Sequence, residues 1–465
     1  MILAPLLGVL ACTEAPAPDS GDSGLAVGCT DEVVAVVSAT EIGTAPRLKW
    51  QSDEASGGRV RFTNGDGLTR LWADGLEAME HDAVLVGIVP NAEWTWEILV
   101  GEGDDERCVG TGSATNGSLP AGLPQVSRVM VTEPAQGLTV VPVLLGSPQI
   151  NNWLMIFDEA GRIVWAYPAS AGTGEEVWLS TAAFAHDGSG VYFNHQAPSA
   201  EDAGWIAEVG FDGEFRFAAM VPGMHTDFRE GADGRIAALA WDLREVGAWQ
   251  VLGDKVVVIE PGGAFSTLWS GFDAIEFDQN GDWPKGFYGA DPNVADWTHV
   301  NSVSWTPDGE ALLVTMTAFS GVARLDAASG ATEWLYGDVI GDFPDSPSIV
   351  SAPHSAEETD DGEVLLFNRG DYSQHPMDAC SWASEVVFNP EAQTVTETAR
   401  WPGTDCLLVT FLGNAKRLPG DLTLVDWSSA GRIEQLTRSG EPVWSVSLGA
   451  GYGFGTADFL ASVAE

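Results

Sequence analysis

Short runs of alternating apolar and polar residues cover most of the chain, and helical periodicity is nearly absent. The first runs are residues 32–37, 47–51, 59–62, 83–89 and 95–100, each bounded by turn-forming residues. Runs of this length and period predict short strands that bury one face. The pattern therefore predicts a small β-sandwich over residues 29–118, with His81 in a structural role at the start of its fourth strand.

A Gly- and Pro-rich joint at residues 117–124 separates this unit from a repeat. In each copy a turn glycine precedes an apolar strand, and a second turn opens a strand that often carries Trp. The paired turns are Gly137 with Gly161, Gly188 with Gly213, Gly234 with Gly262, Gly309 with Gly330, Gly362 with Gln393, and Gly420 with Gly440. Units of roughly 50 residues with four short strands are typical of propeller blades.

The repeat therefore predicts an all-β chain with a six-bladed β-propeller over residues 125–465, and a seventh blade is the alternative. A closed ring of blades removes exposed sheet edges, which favours this architecture over an open stack. The 19 tryptophans are interpreted as packing between blades rather than as ligand-stacking residues.

The chain is strongly acidic, with a formal net charge of -46 from 67 acidic and 21 basic side chains. Such a surface repels nucleic acid and anionic lipid headgroups, which excludes both as main partners. An anionic substrate must then be held by local cationic groups. Beyond the first dozen residues, no apolar run approaches the length of about 20 residues that a membrane span requires.

The N-terminus is apolar and ends in Val9-Leu10-Ala11-Cys12, which resembles a lipoprotein signal with its lipobox. We interpret residues 1–12 as this signal segment, with lipidation at Cys12, and residues 13–28 as a flexible tether rich in Pro, Ser, Asp and Gly. The basic residues expected before the apolar segment are absent, which indicates that the true start lies upstream. A trimmed ordinary signal peptide is the alternative. Both interpretations predict export, and the lipoprotein interpretation adds membrane attachment through a lipid only.

Four further cysteines fit an exported protein: Cys29, Cys108, Cys380 and Cys406. Three pairings are possible, and the sequence-local pairs Cys29–Cys108 and Cys380–Cys406 are preferred. In an oxidising compartment these pairs are expected to be structural disulfides.

Three of the seven histidines recur at a similar position in consecutive repeat units. His225, His299 and His354 lie seven to nine residues before the Asp-Gly turns at residues 233, 308 and 361. If the units surround an axis, these imidazoles are expected to meet at one end of the central channel. Asn301 is expected on the strand face of His299, and Asn414 is the counterpart in the sixth unit. His186 and His195 lie outside this phase and are interpreted as structural, while His375 lies in a loop.

Clustered imidazoles suit two kinds of chemistry. Three neutral histidines can bind zinc or iron, although no carboxylate in the sequence shares their phase as a further ligand. Alternatively, one imidazole acts as a nucleophile while the others stabilise an oxyanion. Separately, Asp278, Asn280 and Asp282 alternate as oxygen ligands do at the start of a calcium loop, a spacing that ordinary turns also show. No other cofactor is indicated.

Three segments resemble the bacterial arylsulfotransferase (aryl-sulfate sulfotransferase) family, and the similarity covers roughly residues 131–448. The first is residues 296–303, Asp-Trp-Thr-His-Val-Asn-Ser-Val, followed by Asp308-Gly309 and Leu312-Leu313. The second is His354 with the run Asp-Gly-Glu-Val-Leu-Leu-Phe-Asn at residues 361–368, and the third is Gly413-Asn414-Ala415 with Leu418-Pro419-Gly420. A small sandwich before the propeller also fits the family, and residues 84–94 resemble the late strands of fibronectin type III domains.

This resemblance implies transfer of a sulfuryl group from an aryl sulfate to a phenol, without the nucleotide donor PAPS. His354 falls where the family has its sulfohistidine nucleophile, His225 and His299 where it has supporting histidines, and Asn301 where it has a nearby Asn. One family arginine is absent, because the similarity places Thr317 at its position. Arg369, directly after Asn368, is the candidate substitute. The alternatives are a non-catalytic envelope propeller that binds a ligand or protein, and a metal-dependent propeller enzyme that uses the three histidines.

Overall fold

The computed structural model describes residues 29–30, 32–145, 152–279, 281, 283, 294–338, 340–370, 380–402 and 405–461. The predicted signal segment and tether, and with them Cys12, lie outside the described residues. The N-terminal unit contains five strands: β1 (Ala35–Ser38), β2 (Arg47–Asn64), β3 (Thr69–Val84), β4 (Glu93–Val100) and β5 (Arg107–Thr115). Strand β2 pairs with β1, β3 and β4, and β4 pairs with β5, all antiparallel.

Three strand predictions in this unit were wrong in their bounds. Runs 47–51 and 59–62 form one strand, β2, because its pairing with β3 continues across two register shifts, through Ser56 and Gly57. The run 83–89 continues β3 only to Val84, so that His81 lies inside that strand rather than before it. The His81 ring stacks on Trp50 with ring centroids 4.7 Å apart, as a structural histidine does.

The larger unit is also built from strands. They begin with β6 (Val126–Met130), β7 (Gly137–Leu145), β8 (Trp153–Phe157), β9 (Ile163–Pro168), β10 (Ala182–Phe184), β11 (Gly190–His195), β12 (Ala203–Gly210), β13 (Phe215–Pro222), β14 (Met224–Glu230), β15 (Ile236–Val246), β16 (Trp249–Ile259) and β17 (Phe265–Ser270). They continue as β18 (Val294–Asp296), β19 (Val300–Trp305), β20 (Ala311–Met316), β21 (Gly321–Asp326), β22 (Thr332–Gly337), β23 (Ile340–Gly341), β24 (Pro353–Glu358), β25 (Val364–Asn368), β26 (Trp382–Asn389) and β27 (Thr394–Trp401). The last are β28 (Asn414–Leu418), β29 (Leu422–Asp426), β30 (Arg432–Thr437), β31 (Pro442–Leu448), β32 (Tyr452–Phe454) and β33 (Asp458–Ala461). Helical residues in the described part are α1 (Gly271–Ala274) and the 3-10 turns Gly103–Asp105, Thr317–Phe319 and Ser428–Ala430.

The described residues after 125 form six sheets, one for each predicted repeat unit. Their strand orders are β10-β11-β12-β13, β14-β15-β16-β17, β19-β20-β21-β22-β23, β24-β25-β26-β27, β28-β29-β30-β31-β6 and β32-β7-β8-β9. Strand β18 adds to β16 in parallel, and β33 pairs with β7. Two of these sheets combine strands from the beginning and the end of the unit, since β6 pairs with β31 and β32 pairs with β7.

The repeated turn glycines have a backbone reason. Five of them lie between the first and second strands of their sheets with positive φ, where a Cβ is disfavoured: Gly188 (70°), Gly234 (79°), Gly309 (71°), Gly362 (78°) and Gly420 (76°). The same backbone requirement recurs in each unit, which explains why the period is visible in the sequence.

Six apolar cores lie between successive sheets. They join the β7–β9 sheet to β10–β13, then to β14–β17, β19–β23, β24–β27 and β28–β31, and finally back to the β7–β9 sheet. Six tryptophans, Trp94, Trp165, Trp297, Trp401, Trp427 and Trp444, are among the largest fully buried side chains. This burial agrees with the interpretation of Trp as packing residues.

Both predicted disulfides are present, Cys29–Cys108 in the N-terminal unit and Cys380–Cys406 in the larger one. The N-terminal unit contacts the larger one through Ile42 and Ala45, which belong to the core between the β7–β9 sheet and the β10–β13 sheet. A buried ion pair, Arg70 with Glu159, adds to this contact. In the described part of the chain, no helix combines the length and apolar character needed to cross a membrane.

Candidate active site

His354 is a buried imidazole in a bulge of β24, the first strand of its sheet. Pro353 pairs with Asn368 and Ser355 with Phe367, so that His354 is skipped in the strand register. His354 is 4% exposed. Burial, the Arg369 guanidinium and the His299 ring hold the pKa of His354 well below its usual value. The imidazole is therefore neutral at neutral pH, as a nitrogen nucleophile must be.

His299 lies just before strand β19 in an unusual backbone conformation. Its φ is 49°, in the left-handed region that residues with a Cβ rarely adopt. Nδ1 of the ring lies 2.5 Å from Oδ2 of Asp296, and the side chain is 10% exposed. A carboxylate at this distance accepts a hydrogen bond from Nδ1–H and fixes the orientation of the ring. The geometry therefore makes Asp296 and His299 a pair beside His354.

His225 pairs with Leu239 in β14 at the edge of a register shift, which skips the next two residues, and is 1% exposed. Its ring stacks on Trp241 with centroids 5.0 Å apart, and Nδ1 lies 3.0 Å from the Thr226 hydroxyl. Nε2 lies 3.0 Å from Oδ1 of Asp254, but the angle between the two groups does not suit a hydrogen bond. The three histidines thus occupy three different register positions: a paired residue, a residue before the strand and a bulge.

Arg369 extends from the end of β25 to the first residue of the 3-10 turn after β20. Its Nη2 donates to Oγ1 of Thr317 at 3.4 Å, its Nη1 to the carbonyl of Thr410 at 3.1 Å, and its Nε to the carbonyl of Ala352 at 3.4 Å. The guanidinium is close enough to His354 to lower the pKa of that ring. A cation is therefore present beside His354, next to the residue where the family resemblance expects the arginine.

Thr317 connects Arg369 with Asn301. The Thr317 hydroxyl donates to the carbonyl of Pro353 at 2.9 Å and accepts from Nδ2 of Asn301 at 2.5 Å. Asn301 is the bulged residue of β19, between Val300 and Ser302 in the register. The structure therefore brings together five of the predicted site residues: His354, His299, Arg369, Thr317 and Asn301.

A family model described as arylsulfotransferase (ASST) matches residues 135–401, which is more than half of the chain. The chain belongs to the arylsulfotransferase family. All five clustered residues lie inside the matched segment, whereas Asn414 lies beyond it.

No curated protein matches this arylsulfotransferase-family chain. Similar solved structures include a protein of unknown function from Bacteroides caccae, with 14% identity, a TM-score of 0.42 and coverage of 69% of this chain and 99% of that one. A putative 6-phosphogluconolactonase from Bacteroides fragilis has 14% identity, a TM-score of 0.41 and coverage of 71% and 99%. A β-propeller domain from Myceliophteria thermophila has 12% identity, a TM-score of 0.36 and coverage of 69% and 88%.

Asn414 begins strand β28, and its side chain is bound to a neighbouring sheet. Nδ2 donates to the carbonyl of Ala457 at 2.9 Å, and Oδ1 accepts from the N–H of Ala457 at 3.0 Å. Both ends of the buried amide therefore join β28 to the segment before β33. The expectation that Asn414 binds substrate finds no support in these contacts.

Replacing Asn414 by alanine is expected to lower the free energy of unfolding by about 1–3 kcal/mol, because both backbone groups of Ala457 lose their partner in a buried site. Chemical denaturation of the purified protein measures this change. Asn389, which is exposed and accepts from the N–H of Ala392, is the matched control and should change stability by less than about 1 kcal/mol when replaced by alanine. Equal losses in the two variants would contradict the structural role of Asn414.

Two carboxylates at the site, Asp254 and Asp296, were missed by the sequence argument, which found no acidic residue in phase with the histidines. Asp296 lies three residues before His299, so its local spacing could have indicated it. Asp254 comes from β16, a strand of the preceding sheet, and no local pattern points to it.

Among the described residues, the three predicted histidines do not form a group of potential metal ligands. The one group of three potential ligands there, Cys29, Glu97 and Cys108, includes both cysteines of a disulfide. For the calcium expectation, Asn280 and Asp282 lie outside the described residues, as does His375. The carbonyl of Asp278 accepts from the indole of Trp283 at 2.8 Å.

Proposed function

We propose that this arylsulfotransferase-family chain moves a sulfuryl group from an aryl sulfate to a phenol through a sulfohistidine at His354. The observation that carries the proposal is a buried, neutral imidazole flanked by a guanidinium and by a second imidazole paired with a carboxylate. A chain with a net charge of -46 repels anions, so a local cation at this point favours an anionic substrate.

The chemistry follows from the neutral state of the His354 ring. One nitrogen of a neutral imidazole carries the proton, and the other carries the lone pair that attacks sulfur. The bond between sulfur and the aryl oxygen breaks as the N–S bond forms, and a phenolate leaves and takes a proton from water. In the second half, the oxygen of an acceptor phenol attacks sulfur, the N–S bond breaks, and the phenolic proton goes to solvent. Positioning and charge stabilisation supply most of the catalysis, as in phosphoryl transfer.

Arg369 is proposed to replace the arginine that the family carries at the position of Thr317. Its Nη2 lies 3.4 Å from the Thr317 hydroxyl, so the cation is near that position although it comes from the following sheet. We assign to Arg369 and His299 the stabilisation of negative charge on the sulfuryl oxygens. Asn301 positions Thr317 through its amide.

We further infer that the six sheets are the blades of a closed six-bladed propeller, and that the N-terminal unit is a fibronectin type III-like sandwich. The continuous series of cores between sheets supports closure, as do the two sheets that combine both ends of the unit. Export to the cell envelope agrees with the two disulfides. Anchoring through a lipid at Cys12 remains a proposal from the sequence.

A ligand-binding role is the second candidate, and one cavity favours it. Its volume is about 670 Å³, and it lies at the end of the innermost strands opposite His354, where the Asp-Gly turns are found. Lys416, Arg229, Asp458 and Glu357 are among its charged lining residues. Such walls suit a polar ligand rather than an aryl sulfate.

Incubation of the full chain with p-nitrophenyl sulfate and excess phenol tests the proposed function. We expect release of nitrophenolate and formation of phenyl sulfate. With the donor alone, mass spectrometry should find a sulfuryl group on the peptide that contains His354. Absence of turnover and of the adduct across a panel of aryl sulfates would overturn the proposal and leave the ligand-binding candidate.

A further inference from the structure

Asp254 is a buried carboxylate that joins two sheets beside the candidate active site. It lies on β16 and is 3% exposed. Its Oδ1 is 3.0 Å from Nε2 of His225, while its Oδ2 accepts from the hydroxyl of Thr298 at 2.5 Å and from the N–H of Val300 at 2.8 Å. One carboxylate therefore contacts a histidine of its own sheet and the segment that carries His299.

The two groups bound by Oδ2 flank His299 on both sides. His299 has a φ of 49°, which a residue with a Cβ adopts only when its surroundings hold it there. Thr298 and Val300 are both buried, at 0% and 1% exposure, so water does not replace the carboxylate readily. The direction of the His299 ring, with its contact to Asp296, depends on this backbone conformation.

We propose that Asp254 is a positioning residue that couples His225 to His299. Its Oδ2 holds the backbone around His299, and its Oδ1 faces the imidazole of His225. In this arrangement His225 influences sulfuryl transfer through Asp254 and the placement of the His299 ring. The effect on turnover rests on the function proposed above, whereas the effect on the His299 ring does not.

The chain offers a matched control in Asp227, another buried carboxylate of the same sheet. Its Oδ2 accepts from the N–H of Val303 at 3.1 Å, and its Oδ1 from the hydroxyl of Thr181 at 3.0 Å. Asp227 thus holds the same strand, β19, three residues beyond Val300. Both variants replace a buried carboxylate, although Asp227 also pairs with Arg229, and of the two only Asp254 contacts the residues on either side of His299.

The first test compares turnover of the full chain. Because a small misplacement of a catalytic group is costly, we expect Asp254→Asn to lower kcat about 100-fold, with KM changed by less than about threefold. Thr298→Val, which keeps the side-chain shape and removes one donor to Oδ2, should lower kcat about tenfold. Asp227→Asn should stay within about threefold of the unmodified chain. Equal losses in Asp254→Asn and Asp227→Asn would overturn the proposal.

A double-variant cycle tests the coupling itself. If His225 acts through Asp254, the variant carrying both His225→Gln and Asp254→Asn should turn over no more slowly than the slower single variant. Multiplied losses would show that His225 acts independently of Asp254 and would overturn the coupling.

The third test does not need activity. With histidine labelled in the ring nitrogens, ¹⁵N NMR of the full chain should show a shifted His299 signal in Asp254→Asn and Thr298→Val and an unshifted one in Asp227→Asn. If the unmodified chain lacks turnover but these shifts occur, the proposed function fails and the positioning role stands. If turnover occurs while Asp254→Asn leaves both kcat and the His299 signal unchanged, the positioning role fails alone.

Discussion

Replacing His354 by alanine is expected to lower turnover of aryl sulfates by on the order of 10⁴-fold or more, because the proposed nucleophile is lost. The expectation depends on the state of the ring: burial and two nearby cationic or ionisable groups keep its pKa low, so that the lone pair is present at neutral pH. Release of nitrophenolate measures the rate, and mass spectrometry after exposure to donor should find no sulfuryl adduct in the variant.

His195 provides the control for this variant. Burial also lowers the pKa of its ring, which stacks on Trp205 with centroids 5.3 Å apart and accepts from the N–H of Trp178. His195→Ala therefore removes a similar imidazole without touching the candidate site, and turnover should stay within about threefold. If the sulfuryl adduct still formed in His354→Ala, the nucleophile would be another residue, which would contradict the proposed mechanism.

The repeat was readable in the sequence because a local requirement recurs in each unit. A turn that closes two strands with positive φ favours glycine, and residues such as Gly309 and Gly362 follow the first strands of their sheets. Apolar runs before and after these turns then predict the strands. The predicted strand bounds were less accurate in the N-terminal unit, where two runs belong to one strand with register shifts around Gly57.

Counting residues back from those turns was a weaker guide to the site. The count assumes a regular strand, but His354 and Asn301 occupy bulges and His299 has a left-handed backbone. His225 is paired in its strand, but the register shifts directly after it and Thr226 has a φ of 49°. The family resemblance identified the cluster better than the spacing did, because it compares whole motifs and tolerates such irregularities.

Contacts between sheets were the part that the sequence could not predict. Asp254 and Val300 are far apart along the chain and meet only when two neighbouring sheets pack. Arg369 was singled out by its place after β25, but its contact with Thr317 depends on how that strand end faces the preceding sheet. Such pairings depend on the tertiary arrangement and leave no periodic signal along the chain.

Replacing Arg369 by alanine is expected to lower kcat about 100- to 1000-fold, because the variant loses the guanidinium proposed to stabilise charge on the sulfuryl oxygens. The loss should be in kcat more than in KM, since charge on the sulfuryl oxygens is stabilised mainly in the transition state. Arg400, a half-exposed cation on β27 with Glu397 as its partner, is the matched control, and Arg400→Ala should leave turnover within about threefold.

A variant with the arginine at residue 317, where the family resemblance expects it, separates two roles of Arg369: supplying a positive charge and supporting the surrounding backbone. Arg369 also contacts the carbonyls of Ala352 and Thr410, so its loss alone could disturb the loops around His354. A variant with both Arg369→Ala and Thr317→Arg should regain at least about tenfold of the lost kcat if the charge is what matters, because the new guanidinium starts beside the position of the old one. Unchanged turnover in Arg369→Ala would refute the proposal that Arg369 replaces the family arginine. If kcat falls in Arg369→Ala and does not recover in the double variant, the role of Arg369 is to support the loops around His354.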